Sequence, residues 1–244
     1  MARSSSTPNL PLYVSVDRGI RETIARGEWR PGTQLPPLPV LAERFGCGIS
    51  TMRRVVETLT DESVLIAHQG KGIFVKSYLK HGYWNRFHRF QRLDGSLIER
   101  YDDTLERFEV VRAGAAIAHE LGIGAEDWVV HWERRVGFDG KPFGSDEAWL
   151  PRALFPQLAP EDFLQRAPDV SPYAIYESVD GILVGGASER IAVRIADPAT
   201  ENCGGVEAGK PLFRLMRTTF DVCRRRVEYR IERVDATRVQ IMYS

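Results

Sequence analysis

The sequence predicts an α+β protein in two parts: a short helical part that ends in a small hairpin, then a longer part in which antiparallel strands are mixed with helices. Three observations carry this. Between Leu35 and Lys76 two short helical patterns are separated by Phe45-Gly46-Cys47-Gly48, and two short apolar runs are separated by Gln69-Gly70-Lys71-Gly72. After residue 85, strand-like runs dominate, and two of them meet at Asp139-Gly140, a strong hairpin signal. The 244 residues, 43% apolar and 27% charged, suffice for one large or two ordinary globular domains.

Residues 1–10, MARSSSTPNL, lack the apolar stretch of a signal peptide and read as a disordered arm. The first domain spans residues 11–76. Its first helix runs from Pro11 to Arg26, with Tyr13, Val16, Ile20 and Ile24 on one stripe and Gly27 as a stop. Trp29, Pro31-Gly32 and Leu35-Pro36 make a rigid connector. Proline is tolerated only in a first helical turn, so the second helix starts near Pro39 and ends at Phe45. In the third helix Met52, Val55, Val56 and Leu59 fall within an arc of about 100°, a buried stripe. Ser50, Arg53, Arg54 and Glu57 lie opposite, with Thr51 and Thr58 at the margins. The hairpin is Val64–His68, a tip at Gln69-Gly70-Lys71-Gly72, and Ile73–Lys76.

Helix, tight turn, helix and hairpin form a winged helix-turn-helix, a shape that docks on duplex DNA. Hydroxyls and guanidinium groups on a protruding helix suit phosphates and base edges, and a glycine-rich tip lets backbone and Lys71 approach a phosphate. The candidate DNA-contacting residues are therefore Ser50, Thr51, Arg53, Arg54, Gln69, Gly70 and Lys71. Charge agrees in sign: residues 1–76 hold 10 Lys and Arg against 7 Asp and Glu, a net of +3, and the remainder is −3.

Residues 77–85, SYLKHGYWN, read as a linker with aromatic anchors, and residues 86–244 as the second domain. There Arg86–Arg92, Glu106–Val111, Trp128–Phe138, Pro142–Leu150, Ser188–Ile195, Leu212–Val222 and Arg226–Tyr243 read as strands. Ala113–Leu121 and Pro172–Val179 read as helices, and Phe155–Arg166 as loop with a short helix. No apolar run approaches the roughly 18 residues of a membrane span. Three cysteines without metal-ligand spacing fit a reducing cytoplasm, and no cofactor motif stands out.

Residues 11–75 resemble the winged helix of GntR-family transcription regulators, through PLYVSVDRGIRETIARGEWRPGTQLP, LAERFG, TMRR and QGKGIFV. Pro39 and Ile49 stand where that family has two DNA-contacting arginines, so the resemblance carries the fold and not the usual operator preference. The second part resembles the UTRA domain of the HutC-like branch, through WERRV with DGKP, EAWLPRALFPQL, SPYAIYE, GKPLFRLMR and VEYR. The resemblance implies a homodimeric, DNA-binding repressor controlled by a small-molecule effector, with an antiparallel, chorismate-lyase-like sheet in the second domain.

Strand parity gives an independent clue to the effector. Val130, Trp132, Arg134 and Val136 share the more apolar side of their strand, which turns Arg134 inward. A buried guanidinium needs an anionic partner, either Asp146 on the neighbouring strand or a bound carboxylate or phosphate. The resemblance favours a ligand there, hence an anionic effector, although Val136 replaces the family's second arginine and Val234 a pocket tyrosine. It also implies effector roles for Asp146, Ser171 and Glu228. Ser171 reads first as a plain helix cap, and Glu228 alternates with Arg226, Arg230 and Glu232 on a polar strand face. Glu189 is expected to pair with Arg217. His131 falls on the outer face of its strand. Two alternatives are a chorismate-lyase-like enzyme, against which no nucleophile–base pair stands out, and a regulator with weakened DNA binding that acts through protein contacts.

Overall fold

The computed structural model describes residues 11–79, 90–98, 101–164, 170–199 and 202–242. The arm at 1–10, residues 80–85 of the expected linker and residues 86–89 of the first expected strand lie outside these. The chain divides into two compact units, Met1–Lys76 and Ser77–Ser244.

The first unit contains helices α1 (Leu12–Ala25), α2 (Leu38–Arg44) and α3 (Ile49–Asp61) and strands β1 (Leu65–His68) and β2 (Gly72–Val75). Pro11 sits at the N-cap of α1 and Pro39 in the first turn of α2, where a missing N–H costs nothing. Val16, Ile20 and Ile24 of α1, Leu41 and Ala42 of α2, and Met52, Val55, Val56 and Leu59 of α3 are all buried. Tyr13, expected on the same stripe, is instead 46% exposed. Its ring lies beneath the guanidinium of Arg54, 5.3 Å from Cζ to the centroid, which explains why it stays at the surface. Arg21 is buried and donates to Asp17 and to Glu62, tying α1 to the end of α3.

β1 and β2 pair antiparallel from Leu65↔Val75 to His68↔Gly72. The connector adds a third edge: Gly32 N–H donates to Val75 O, Val75 N–H to Thr33 O, and Leu35 N–H to Ile73 O. At the tip, Gln34 Nε2 donates to Lys71 O at 2.7 Å. Gly72 has φ +110°, and a Cβ there would stand 2.5 Å from that same Gln34 nitrogen. Only glycine allows both the backbone turn and the side-chain strap.

In the second unit, β4 (Asp102–Arg112), β5 (Trp128–Phe138), β6 (Lys141–Pro151), β9 (Arg226–Asp235), β8 (Pro211–Asp221) and β7 (Val184–Ile195) form one antiparallel sheet in that spatial order. A separate ribbon pairs β3 (Phe90–Arg92) with β10 (Val239–Ile241). Helices α4 (Gly114–Leu121), α5 (Pro160–Leu164) and α6 (Pro172–Asp180) complete the unit. Asp139 and Gly140, at φ +53° and +70°, join β5 to β6 as the hairpin signal predicts.

The expected continuous strand Arg226–Tyr243 is broken. The Asp235 carboxylate accepts from the N–H and the hydroxyl of Thr237, and the chain turns there. Tyr243 itself lies outside the described residues.

Register assigns every side chain to one of two sheet faces. One face carries Trp132, Arg134, Asp146, Arg230, Glu232, Arg217 and Glu189 in cross-strand rows, with Arg134↔Asp146↔Glu232 and Arg230↔Arg217↔Glu189 as successive pairings. Tyr173, Tyr176 and Phe163 from α6 and α5 pack on it. The opposite face carries Val129, Tyr229 and Ile231, which pack against Ala118 and Leu121 of α4.

Candidate DNA-binding face and effector site

The recognition face is built by the buried seam of α3. With Met52, Val55, Val56 and Leu59 turned inward, Ser50, Arg53, Arg54 and Glu57 are exposed and Thr51 is half-buried, as the angular pattern predicts. The N-cap is Gly48, with extended backbone and no side-chain cap, and the first turn holds no acidic residue. Its first N–H groups therefore have no side-chain cap to satisfy them. Ile49, one of the two departures from the family pattern, is 48% exposed beside them. The wing brings Gln69, Gly70 and Lys71 to its exposed tip, where Lys71 N–H donates to His68 O and closes the turn. Two residues that pattern alone missed support this face. Tyr13 holds the Arg54 guanidinium from below, and Gln34 braces the wing.

Within the second unit, Arg134 points inward and pairs with Asp146, the first of the two partners envisaged, and also with Asp103 of β4. Burial opposes charge on Arg134, but the two carboxylates outweigh it and hold its pKa above the ordinary value. Burial likewise opposes charge on Asp146, yet Arg230 and Arg134 hold its carboxyl below the usual range. Arg230 is the member that sequence reasoning missed. It stands 3.6 Å from Asp146 through Nε and donates to Glu228 at 3.2 Å through Nη2. Its ring neighbours are Trp132 and Tyr173, 5.0 and 5.2 Å from its Cζ. Three polar atoms of this cluster, Arg134 Nε, Arg230 Nε and Asp146 Oδ1, are buried without a hydrogen bond.

Glu228 corrects the parity reading. The strand face called polar is the covered face, and Glu228 is fully buried in it. Tyr173 OH, Tyr176 OH, Thr219 Oγ1 and Arg230 Nη2 all donate to its two oxygens. The charges alternating along β9 look solvent-directed because a sequence cannot display α6 lying over them. Arg217 and Glu189 do pair, Nε to Oε1 at 2.6 Å, and Arg217 also donates to Glu232. Ser171 is the N-cap of α6: its Oγ accepts from Tyr173 N–H at 3.1 Å, which leaves the hydroxyl hydrogen unengaged by that bond.

The two valines at departure positions share one environment. Val234 is buried in a cluster with Phe90, Tyr101, Phe138, Phe143 and Val239, and Val136 packs against the same cluster. The row next to Arg134–Asp146–Glu232 is therefore apolar where the family pattern has an arginine and a tyrosine.

His131 also needs correction. It is 7% exposed, and its ring lies flat on Trp149 at 4.9 Å between three glutamates. The face called outer is well covered at this point.

Ser77 and Tyr78, read as linker, are buried in the second unit. Glu177 of α6 accepts from Ser77 Oγ at 2.7 Å and from Tyr78 N–H at 2.6 Å, and the Tyr78 ring lies 5.6 Å from that of Tyr173. The first residues after the winged helix thus touch the helix that covers the charged row.

A winged helix-turn-helix with a cationic outward face, followed by a sheet with a buried charged row, defines a two-domain DNA-binding regulator. The chain belongs to the GntR family of bacterial regulatory proteins, in the branch with a UTRA domain. The gntR-family profile matches residues 12–75, and the UTRA domain profile residues 100–240. The mannosyl-D-glycerate transport/metabolism system repressor MngR of Escherichia coli K12 is 29% identical, over 90% of this chain and 89% of its own. The histidine utilization repressor of Klebsiella aerogenes is 40% identical over 65 residues, 27% of each chain. The ligand-binding domain of a GntR-family regulator from Bordetella bronchiseptica superposes with a TM-score of 0.59 at 27% identity, covering 65% of this chain and 97% of that one. The family is one of transcription regulators, so the lyase alternative falls. No helix among the described residues is long and apolar enough to cross a membrane.

Proposed function

We propose that this regulator is a homodimeric repressor whose hold on its operator is set by a hydroxyl-rich effector docking at Arg134, Asp146 and Arg230. The carrying observation is the set of three buried polar atoms without a hydrogen bond: Arg134 Nε, and Arg230 Nε and Asp146 Oδ1, which face one another at 3.6 Å, beyond hydrogen-bond reach. A ligand hydroxyl both donates and accepts, so it satisfies such a set, and an unsatisfied buried polar group is costly. The charge balance argues against a bare anion. Asp103, Asp146, Glu189, Glu228 and Glu232 outnumber Arg134, Arg217 and Arg230 in the row, and an anion would have to displace Asp103 or Asp146 from Arg134. Ser171 supplies a further hydroxyl at the start of α6. Glu228, already the acceptor of four bonds, serves as wall. Val136 and Val234 favour an apolar edge on the ligand. The names of both relatives support the repressor role, and the E. coli one is named for a glycoside that carries a carboxylate as well as hydroxyls.

On the DNA side, Ser50, Thr51, Arg53 and Arg54 meet the major groove while Gln69, Gly70 and Lys71 meet the flanking backbone. Two chains present two recognition helices to half-sites about one helical turn apart. The effector acts only by its preference for one state over the other.

The test is a gel shift of the full chain on its own upstream DNA with a panel of glycosides, amino sugars and simple carboxylates. Release by a hydroxyl-rich compound, abolished in Asp146→Asn, is expected. Release by simple carboxylates alone, abolished in Arg134→Met, would overturn the hydroxyl reading in favour of an anionic effector.

A further inference from the structure

On the sheet face opposite the charged row, the geometry points to a second site: we propose that His131, Glu133 and Glu147 bind one divalent transition-metal ion of the zinc type. Two adjacent strands supply the ligands. His131 and Glu133 are two residues apart on β5 and so share a face, and Glu147 is the direct cross-strand partner of Glu133 on β6. His131 Nε2 lies 3.1 Å from Glu147 Oε1 and 3.6 Å from Glu133 Oε1. One ligand atom from each of the three falls within a 4.8 Å sphere of mutual distance. In a tetrahedral zinc site with bonds of about 2.0–2.2 Å, ligand atoms stand roughly 3.3–3.5 Å apart. The two edges from Nε2 bracket that value, and the edge between the two carboxylate oxygens, within 4.8 Å, is the one an ion would draw in.

Each ligand is also held from behind. His131 Nδ1 is 3.1 Å from Glu109 Oε1, a carboxylate placed to keep the proton on Nδ1 while an ion displaces the one that Nε2 shares with Glu147. Arg233 Nη1 donates to Glu147 Oε2 at 2.9 Å, and Asn202 Nδ2 donates to Glu133 Oε2 at 3.0 Å. The oxygens that remain are the two that face Nε2. The imidazole is clamped on Trp149 with 2° between ring planes. Pre-oriented ligands on strands with occupied outer contacts are what a metal site requires. Two carboxylates and a neutral imidazole carry two negative charges, matching a dication.

Imidazole with carboxylate selects zinc and its neighbours over magnesium or calcium, which prefer all-oxygen shells. Arg107, a half-exposed side chain, has its Nε 3.4 Å from Glu133 Oε1 and would have to give up that ion pair to an ion. Because Asn202 lies on the loop after β7, an ion here would brace that loop against β5 and β6.

The experiment is calorimetric titration of the untagged, chelator-treated full chain with zinc chloride, and separately with magnesium chloride. One zinc per chain, no magnesium signal and a raised melting temperature are expected. His131→Gln and Glu147→Gln should abolish the shift, and Glu109→Gln should weaken binding about 10–100-fold. Because a variant that fails to fold would also lose binding, the wild-type chain is loaded with cobalt(II). Intense tetrahedral visible bands without a thiolate charge-transfer band are expected, which excludes Cys47, Cys203 and Cys223 as ligands. Substoichiometric zinc, binding that survives in folded His131→Gln, or thiolate bands would overturn the proposal.

Discussion

Arg54 is one guanidinium on an exposed helix face, yet its setting is specific. Tyr13 lies 5.3 Å beneath it and limits where it can swing. Arg54→Ala should weaken operator binding by about 1–3 kcal/mol if it reads a base edge, measured by fluorescence anisotropy. An unchanged isotherm removes it from the interface. Glu228 is the opposite case, a charge with four donors and no exposure. Glu228→Ala leaves Arg230 short of a buried partner, so a loss of about 3–5 kcal/mol in urea unfolding is expected. A third residue links ionisation to stability. Burial pushes the Glu177 carboxyl above its ordinary 4.5, against the bonds from Ser77 and Tyr78 that favour the charged form. A raised folded-state value means that the native chain holds this proton more tightly than the unfolded chain. The contribution is full below the unfolded value and is lost as pH rises through the folded one. The melting temperature of wild type relative to Glu177→Gln should therefore fall as pH rises from about 4 through the raised folded-state value. A difference that stays flat across that range contradicts this.

Among the elements, the β6–β9 pairing brings two backbones close together at Gly144. A Cβ on Gly144 would stand 2.1 Å from the carbonyl oxygen of Arg233 and 2.9 Å from the Cα of Val234, its register partner, so the clash is with backbone. Gly144→Ala should cost about 1–3 kcal/mol or more through forced backbone shifts, read as a lower urea midpoint. Wild-type stability in that variant would mean that the strands can separate at no cost. Elements were legible where periodicity was undisturbed. The seam of α3, the Asp139-Gly140 hairpin and the Ser171 cap follow from spacing and turn chemistry alone. The break after Asp235 was not, because an Asp-Ala-Thr turn inside an otherwise strand-like run is a local hydrogen-bond choice with weak sequence signal.

For the whole molecule, DNA recognition is an electrostatic event on a chain with no net charge. The cationic excess is confined to the N-terminal residues, so affinity should fall steeply and log-linearly with salt as phosphate contacts release counterions. A titration from about 50 to about 200 mM salt with a slope near zero would mean that the winged helix makes few phosphate contacts.

The winged helix and the outward side of α3 follow from sequence, because helical period and turn residues are local properties that the chain carries with it. Only the tertiary structure decided which strand face is covered. It turned the charges of β9 inward beneath α6, brought Arg230 to Asp146, and placed His131 among three glutamates. The reason is that alternation along a strand says which residues share a side, whereas burial of that side depends on elements far away in sequence that pack against it.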